Sequence, residues 1–120
     1  MADRRRLVKY AGNIKKAVSS IIDLKVKDPE KGFITVTSVK ISPDLKIASI
    51  YYTVLGDDDQ KAKSKKALER SNGFIRNELK PSIKSRWLPE LRFFYDDTLE
   101  QAQKINTLIS KIHDSAGSEE

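Results

Sequence analysis

Two groups of acids could do chemistry in this chain. Asp57-Asp58-Asp59 stand in a row, and Asp96-Asp97 form a pair further on. Carboxylates of that kind can hold magnesium and activate water against a phosphodiester, so a carboxylate-dependent magnesium nuclease is one reading. The bland alternative is strong. Asp57 to Asp59 follow Gly56 and precede a basic helical stretch, where acids complement the positive end of a helix and Asp58 or Asp59 can cap it. Asp96 and Asp97 stand before Thr98-Leu99-Glu100, with Gln101 behind, the order of a helix start. The single histidine, His113, reads as a surface side chain, and no cysteine is present. That leaves no thiol nucleophile, no zinc-thiolate set and no disulfide. No phosphate-cradling glycine loop occurs. The expectation is therefore no catalytic residue, no metal, no cofactor and no small-molecule substrate.

Cations are the other chemistry on offer. The 120 residues carry a net charge of +6, with a pI near 9.5. The charge is unevenly placed: residues 1–27 are net +6, 28–60 net −3, 61–92 net +7 and 93–120 net −4. Two basic segments that met in the fold would make one phosphate-binding face. The candidates from the first are Arg4, Arg5, Arg6, Lys9, Lys15 and Lys16. Those from the second are Lys61, Lys63, Lys65, Lys66, Arg70, Arg76, Lys84 and Arg86, together with the backbone of Ser71-Asn72-Gly73. Three arginines in the first turn of a helix work against its dipole, so helix stability does not account for them. Trp87, Phe93 and Phe94 can stack on bases, although aromatics beside a strand usually enter the core.

The elements that position these residues follow from periodicity. Leu7, Ala11, Ile14, Val18 and Ile21 make one stripe of a helix over about residues 4–27, capped by Asp3 and stopped at Asp28-Pro29. Residues 33–42 read as a strand whose alternation slips between Val36 and Val39, a bulge signal. Ser42-Pro43-Asp44 turns the chain into a second strand over 45–55, with Ala48, Ile50, Tyr52 and Val54 on one face. A basic helix from Lys61 is expected to end at Gly73 as a glycine cap, then to resume through Ile75, Leu79 and Ile83 towards Trp87, kinked or restarted at Pro81. A third strand covers 89–96 with Leu91, Phe93 and Tyr95 on one side. The final helix shows one apolar stripe, Ala102, Ile105, Leu108, Ile109 and Ile112, enough to dock on the sheet. The expectation is one α+β domain over 1–114, a three-stranded sheet with helices on one face, and a flexible tail over 115–120.

The order α-β-β-α-kink-α-β resembles a type II KH domain, a single-strand RNA-binding fold. The glycines at 12, 32, 56, 73 and 117 form no GxxG clamp, so a generic KH module is not the match. The arginine-rich start, "SVKISPDLKIASIYYTVLG" (38–56), "ALERSNGFIRNELK" (67–80) and "RWLPELRFFYDDTLEQAQKI" (86–105) together resemble ribosome-binding factor A. That family carries an Ala-x-Gly interhelical kink in place of GxxG; here the position reads Ser71-Asn72-Gly73, with serine for alanine. The resemblance implies a nonenzymatic assembly factor. It implies binding to the free small (30S) ribosomal subunit and 16S rRNA, help with 5′-end processing of that RNA, and importance in the cold. A chain without cysteine, membrane span or secretory signal reads most simply as cytoplasmic. The single apolar stripe of the final helix gives no sign of an oligomer, so a monomer is expected. A competing reading is a protein-interaction module whose basic faces are incidental. No apolar run approaches the 18 residues of a membrane span, and the charged N-terminus lacks the apolar stretch of a secretory signal.

Overall fold

The computed structural model describes residues 4–83 and 88–118, the last six of these by backbone only. The elements run α1 (Arg4–Leu24), β1 (Phe33–Ile41), β2 (Ile47–Leu55), α2 (Asp58–Leu79), a 3₁₀ turn (Lys80–Ser82), β3 (Glu90–Tyr95) and α3 (Thr98–Ser118). The strands form one mixed sheet in the order β1-β2-β3, antiparallel between β1 and β2 and parallel between β2 and β3. This is the expected α+β architecture.

Alternation in the strands builds the core. Ile34, Val36, Ala48, Ile50, Tyr52, Val54 and Leu91 are buried on one face of the sheet. Ile14, Val18, Ile21 and Ile22 of α1, with Leu68, Ile75 and Leu79 of α2, close over them. Each such aliphatic side chain contributes about 1.5–3 kcal/mol by leaving water. The register slips between Val36 and Ser38, as the phase change in sequence indicates. Thr37, the extra residue, donates from Oγ1 to Asp96 at 2.6 Å, tying the bulge to the end of β3. In the hairpin turn the Leu45 N–H donates to the Ser42 carbonyl at 2.9 Å, and Leu45 takes a positive φ of 62°.

Several expectations about the helices need correction. Gly73 does not end a helix: α2 runs without a gap from Asp58 to Leu79. Pro81 does end it, sitting in the 3₁₀ turn, after which Ile83 is extended rather than helical. Asp57, not Asp58 or Asp59, is the N-cap of α2, accepting from the Gln60 N–H at 2.9 Å. α1 stops at Leu24, short of Asp28-Pro29.

The last correction concerns α3. Its start is as expected, with the Gln101 N–H on the Asp97 carbonyl at 2.9 Å. Yet every residue from 101 to 112 is exposed, Ile105, Leu108, Ile109 and Ile112 included. A 21-residue helix is about 32 Å long. Projecting from the body, it stretches the molecule to 67 × 39 × 17 Å. The radius of gyration is 18.3 Å, against about 14 Å for a compact chain of this length. The amphipathic pattern forms the helix expected of it, but the helix does not dock on the sheet. The Asp3 cap, Trp87 and the His113 side chain lie outside the described residues.

Candidate nucleic-acid interface

The first turn of α1 holds no acid to offset Arg4, Arg5 and Arg6. Arg4, Arg6, Lys9, Lys15 and Lys16 are exposed, with no ion-pair partner among the described residues, and Arg5 is exposed beside them. Arg4 and Lys15, with Lys40 of β1, rim a groove of about 510 Å³ floored by Leu7, Ala11, Val39 and Ile41. Arg4, Arg5 and Lys9 line a second hollow beside it. Gly12 also faces the groove, and a Cβ built there meets nothing within 4 Å. The positive charge of this half of α1 thus faces outward around a concave surface, the arrangement that attracts phosphates.

The cations of α2 divide differently. Lys61 lies 2.7 Å from Glu100 and 5.3 Å from the Tyr95 ring centre. The Tyr95 hydroxyl also donates to Glu100. Hydrogen bonds from Lys61 and Tyr95 hold the Glu100 carboxyl below its ordinary range, while the bond to Glu100 raises Lys61. Lys63 pairs with Asp59 at 3.0 Å. Arg70 donates from Nε and Nη2 to the two oxygens of Asp28, both at 3.0 Å, and reaches Glu30 at 3.7 Å. Asp28 is held below the usual carboxylate range, first by the Glu30 N–H and then by Arg70. Arg76 donates to the Leu88 and Pro89 carbonyls at 2.8 and 3.0 Å. These two arginines, which flank the glycine in sequence, therefore serve the fold. Lys65 and Lys66 remain exposed and unpaired among the described residues, while Lys84 and Arg86 lie outside them.

The Ser71-Asn72-Gly73 segment is one turn of α2. Asn72 donates from Nδ2 to the Leu91 carbonyl at 3.1 Å, stitching the helix to β3, and Ser71 is half-buried. Gly73 is exposed, and a Cβ there meets nothing within 4 Å. No described neighbour demands a glycine, so this turn of helix is simply bare.

The two basic segments meet only in part. The contacts joining α1 and its following loop to α2 include Lys25 to Glu78 at 2.8 Å, Asp28 to Arg70, and the Gly32 N–H to Ser64 at 3.0 Å. All three lie beyond the C-terminal end of α1. The arginines of its first turn sit at the other end, beside β1.

The acids have structural tasks. Asp57 caps α2. Asp96 accepts from Thr37 and from the Thr98 N–H, and these bonds lower its pKa, the Thr37 hydroxyl most. Among the described residues no three His, Cys, Asp or Glu side chains converge on a metal position.

Fold and surface define a class: a small α+β module of type II KH topology, with exposed cations displayed on a helix. The profile of ribosome-binding factor A matches residues 6–109, and the chain belongs to that family. It is accordingly a binding factor and not an enzyme. The crystal structure of ribosome-binding factor A from Thermus thermophilus superposes with a TM-score of 0.65 at 23% identity, covering 78% of this chain and 97% of that one. A Thermotoga maritima protein solved by solution NMR, a putative ribosome binding factor A, gives 0.64 at 25% identity, with 78% and 90% covered. A homology model of the Thermus thermophilus factor, fitted into the cryo-EM map of its 30S complex, gives 0.59 at 24% identity, with 72% and 90% covered.

Proposed function

We propose that this protein binds the free small ribosomal subunit as a monomer, in the cytoplasm, through 16S rRNA. In that role it assists late maturation of the 5′ end of the RNA and matters most during growth in the cold. The observation that carries the reading is the set of exposed cations on α1, in a chain of the ribosome-binding factor A family. The Thermus thermophilus relative, fitted into a map of its 30S complex, supports the choice of partner.

The phosphate contacts fall to Arg4, Arg5, Arg6, Lys9, Lys15 and Lys16, joined by Lys65 and Lys66 on α2. The bare turn at Gly73 lets RNA approach the backbone closely. Lys61, Lys63, Arg70 and Arg76 are held by Glu100, Asp59, Asp28 and the Leu88 and Pro89 carbonyls and are left to the fold.

The test is binding of purified 30S subunits to the full chain and to a Lys15→Glu/Lys16→Glu variant at two salt concentrations. The wild type should bind and weaken steeply with salt, because each phosphate contact releases counterions. The variant should bind markedly less, with an unchanged circular dichroism spectrum. Equal binding by the two proteins would overturn the assignment to α1.

A further inference from the structure

Among the described residues, α1 and α2 cover one face of the sheet and leave the other open, and that face is ordered by rows. The register places Lys40, Ser49 and Arg92 side by side across β1, β2 and β3. The next row is Ser38, Tyr51 and Phe94. Tyr51 and Phe94 lie 5.6 Å apart, centre to centre, their planes tilted by 30°. The Lys40 ammonium sits 5.5 Å from the Tyr51 ring centre. Beyond the aromatic row, at the end of β3, come Asp96 and Asp97, and a hollow of about 230 Å³ joins them to Ser38, Lys40 and Tyr51. Rows on one face are spaced about 7 Å apart along a strand.

We propose that this open face is a second RNA contact, in which an unpaired amino-bearing base stacks on Tyr51 and Phe94 with its phosphate between Lys40 and Arg92. The order across the sheet, cation then aromatic then acid, matches the order phosphate, base and exocyclic amine in one nucleotide. Aromatic rings on a sheet accept bases of any kind through their π faces. Asp97 accepts from Gln101 Nε2 at 2.8 Å through Oδ2, which leaves Oδ1 to accept from the exocyclic amine of adenine or cytosine, a group that uracil lacks, offering only its ring N3–H. Ser38 and Ser49 are small enough to leave the rings and cations standing proud. Arg92 pairs with Glu90 at 3.3 Å, with both side chains at least half exposed, so a phosphate displaces that pairing easily. Phe94 remains 44% exposed, an aromatic surface whose ring partner is Tyr51. The rings and Arg92 lie on the face away from α1 and α2, while Ser38 and Lys40, at the β1 edge, also border the groove beside α1, so the shifts of Tyr51, Arg92 and Phe94 are the ones that distinguish the two surfaces.

The test uses the isotope-labelled full chain with hexaadenylate and hexauridylate. Hexaadenylate should shift the amides of Ser38, Lys40, Ser49, Tyr51, Arg92 and Phe94, and should bind more tightly than hexauridylate. Phe94→Ala and Phe94→Leu should each weaken hexaadenylate about tenfold, the scale of one lost base stack. Phe94→Leu keeps an apolar side chain in place, so its loss speaks for the ring rather than for folding. The Lys15→Glu/Lys16→Glu variant should retain these shifts while losing the subunit, which separates the two surfaces. Shifts confined to α1, or wild-type affinity in Phe94→Leu, would overturn the proposal. So would a concentration-dependent dimer of the wild type that Phe94→Leu abolishes, because it would give the face to a second copy.

Discussion

Replacing Gly73 with alanine separates the continuous helix from the glycine cap by the sign of one number. In the structure Gly73 is an interior residue of α2, and glycine at such a position costs about 1 kcal/mol relative to alanine through backbone entropy. The added methyl meets no atom within 4 Å, so no clash offsets the gain. Gly73→Ala should therefore stabilise the protein by about 1 kcal/mol. With an unfolding entropy near 2.1 cal/mol/K per residue, that raises the Tm by about 4 °C. Had Gly73 been a left-handed cap, alanine would have cost about as much instead. Urea and thermal unfolding followed by circular dichroism decide the matter. A fall in stability would refute the continuous helix. The same variant tests the site: if RNA packs against this bare turn, the methyl lowers affinity for the 30S subunit while it raises stability.

The other predictions concern charge and the projecting helix. Arg70→Glu breaks the bidentate contact with Asp28 and sets a third acid beside Asp28 and Glu30, so it should lower the urea midpoint, whereas Lys66→Glu should leave it unchanged. Asp28, Asp96 and Glu100 are held below their ordinary pKa values by their hydrogen bonds, so they stabilise the fold fully above the unfolded values near 4 and lose that contribution as pH falls through the lower folded ones. Urea unfolding from about pH 5 down to pH 2 should show this loss, with a shallower slope in Asp96→Asn; equal slopes would remove Asp96 from the account. Ile109→Lys on α3 should change stability by less than about 0.5 kcal/mol, because that side chain is already 48% exposed. A larger drop would mean that α3 packs on the body in solution.

The strands were readable because alternation has a period of two and only one face is buried. Ala48, Ile50, Tyr52 and Val54 announce that face, and the slip after Val36 announces the bulge. Gly73 misled because local propensity is a small term. Its cost of about 1 kcal/mol is outweighed by Leu68, Ile75 and Leu79, each contributing about 1.5–3 kcal/mol from the same helix. Charge was legible as a total and illegible as a role. Arg70 finds its partner 42 residues away and Arg76 finds its carbonyls 12 and 13 residues away, distances no local pattern encodes. The acidic turn Asp28-Pro29-Glu30 was the available hint that a cation would be consumed there. For α3, periodicity specified a face but not what covers it. The open sheet face was legible in part: alternation sets Phe93 with Leu91 and Tyr95 and so turns Phe94 to the other side, but only the register brings Tyr51 and Lys40 beside it.

The central claim is that the surface of α1 holds a free small ribosomal subunit. Sedimentation of the tagged full chain in a cell lysate, through a sucrose gradient at low salt, tests it most directly. The wild-type protein should migrate with free small subunits and be absent from whole ribosomes and polysomes, and the Lys15→Glu/Lys16→Glu variant should return to the top of the gradient. Wild-type protein that stays at the top, or that follows polysomes as readily as free subunits, would contradict that claim.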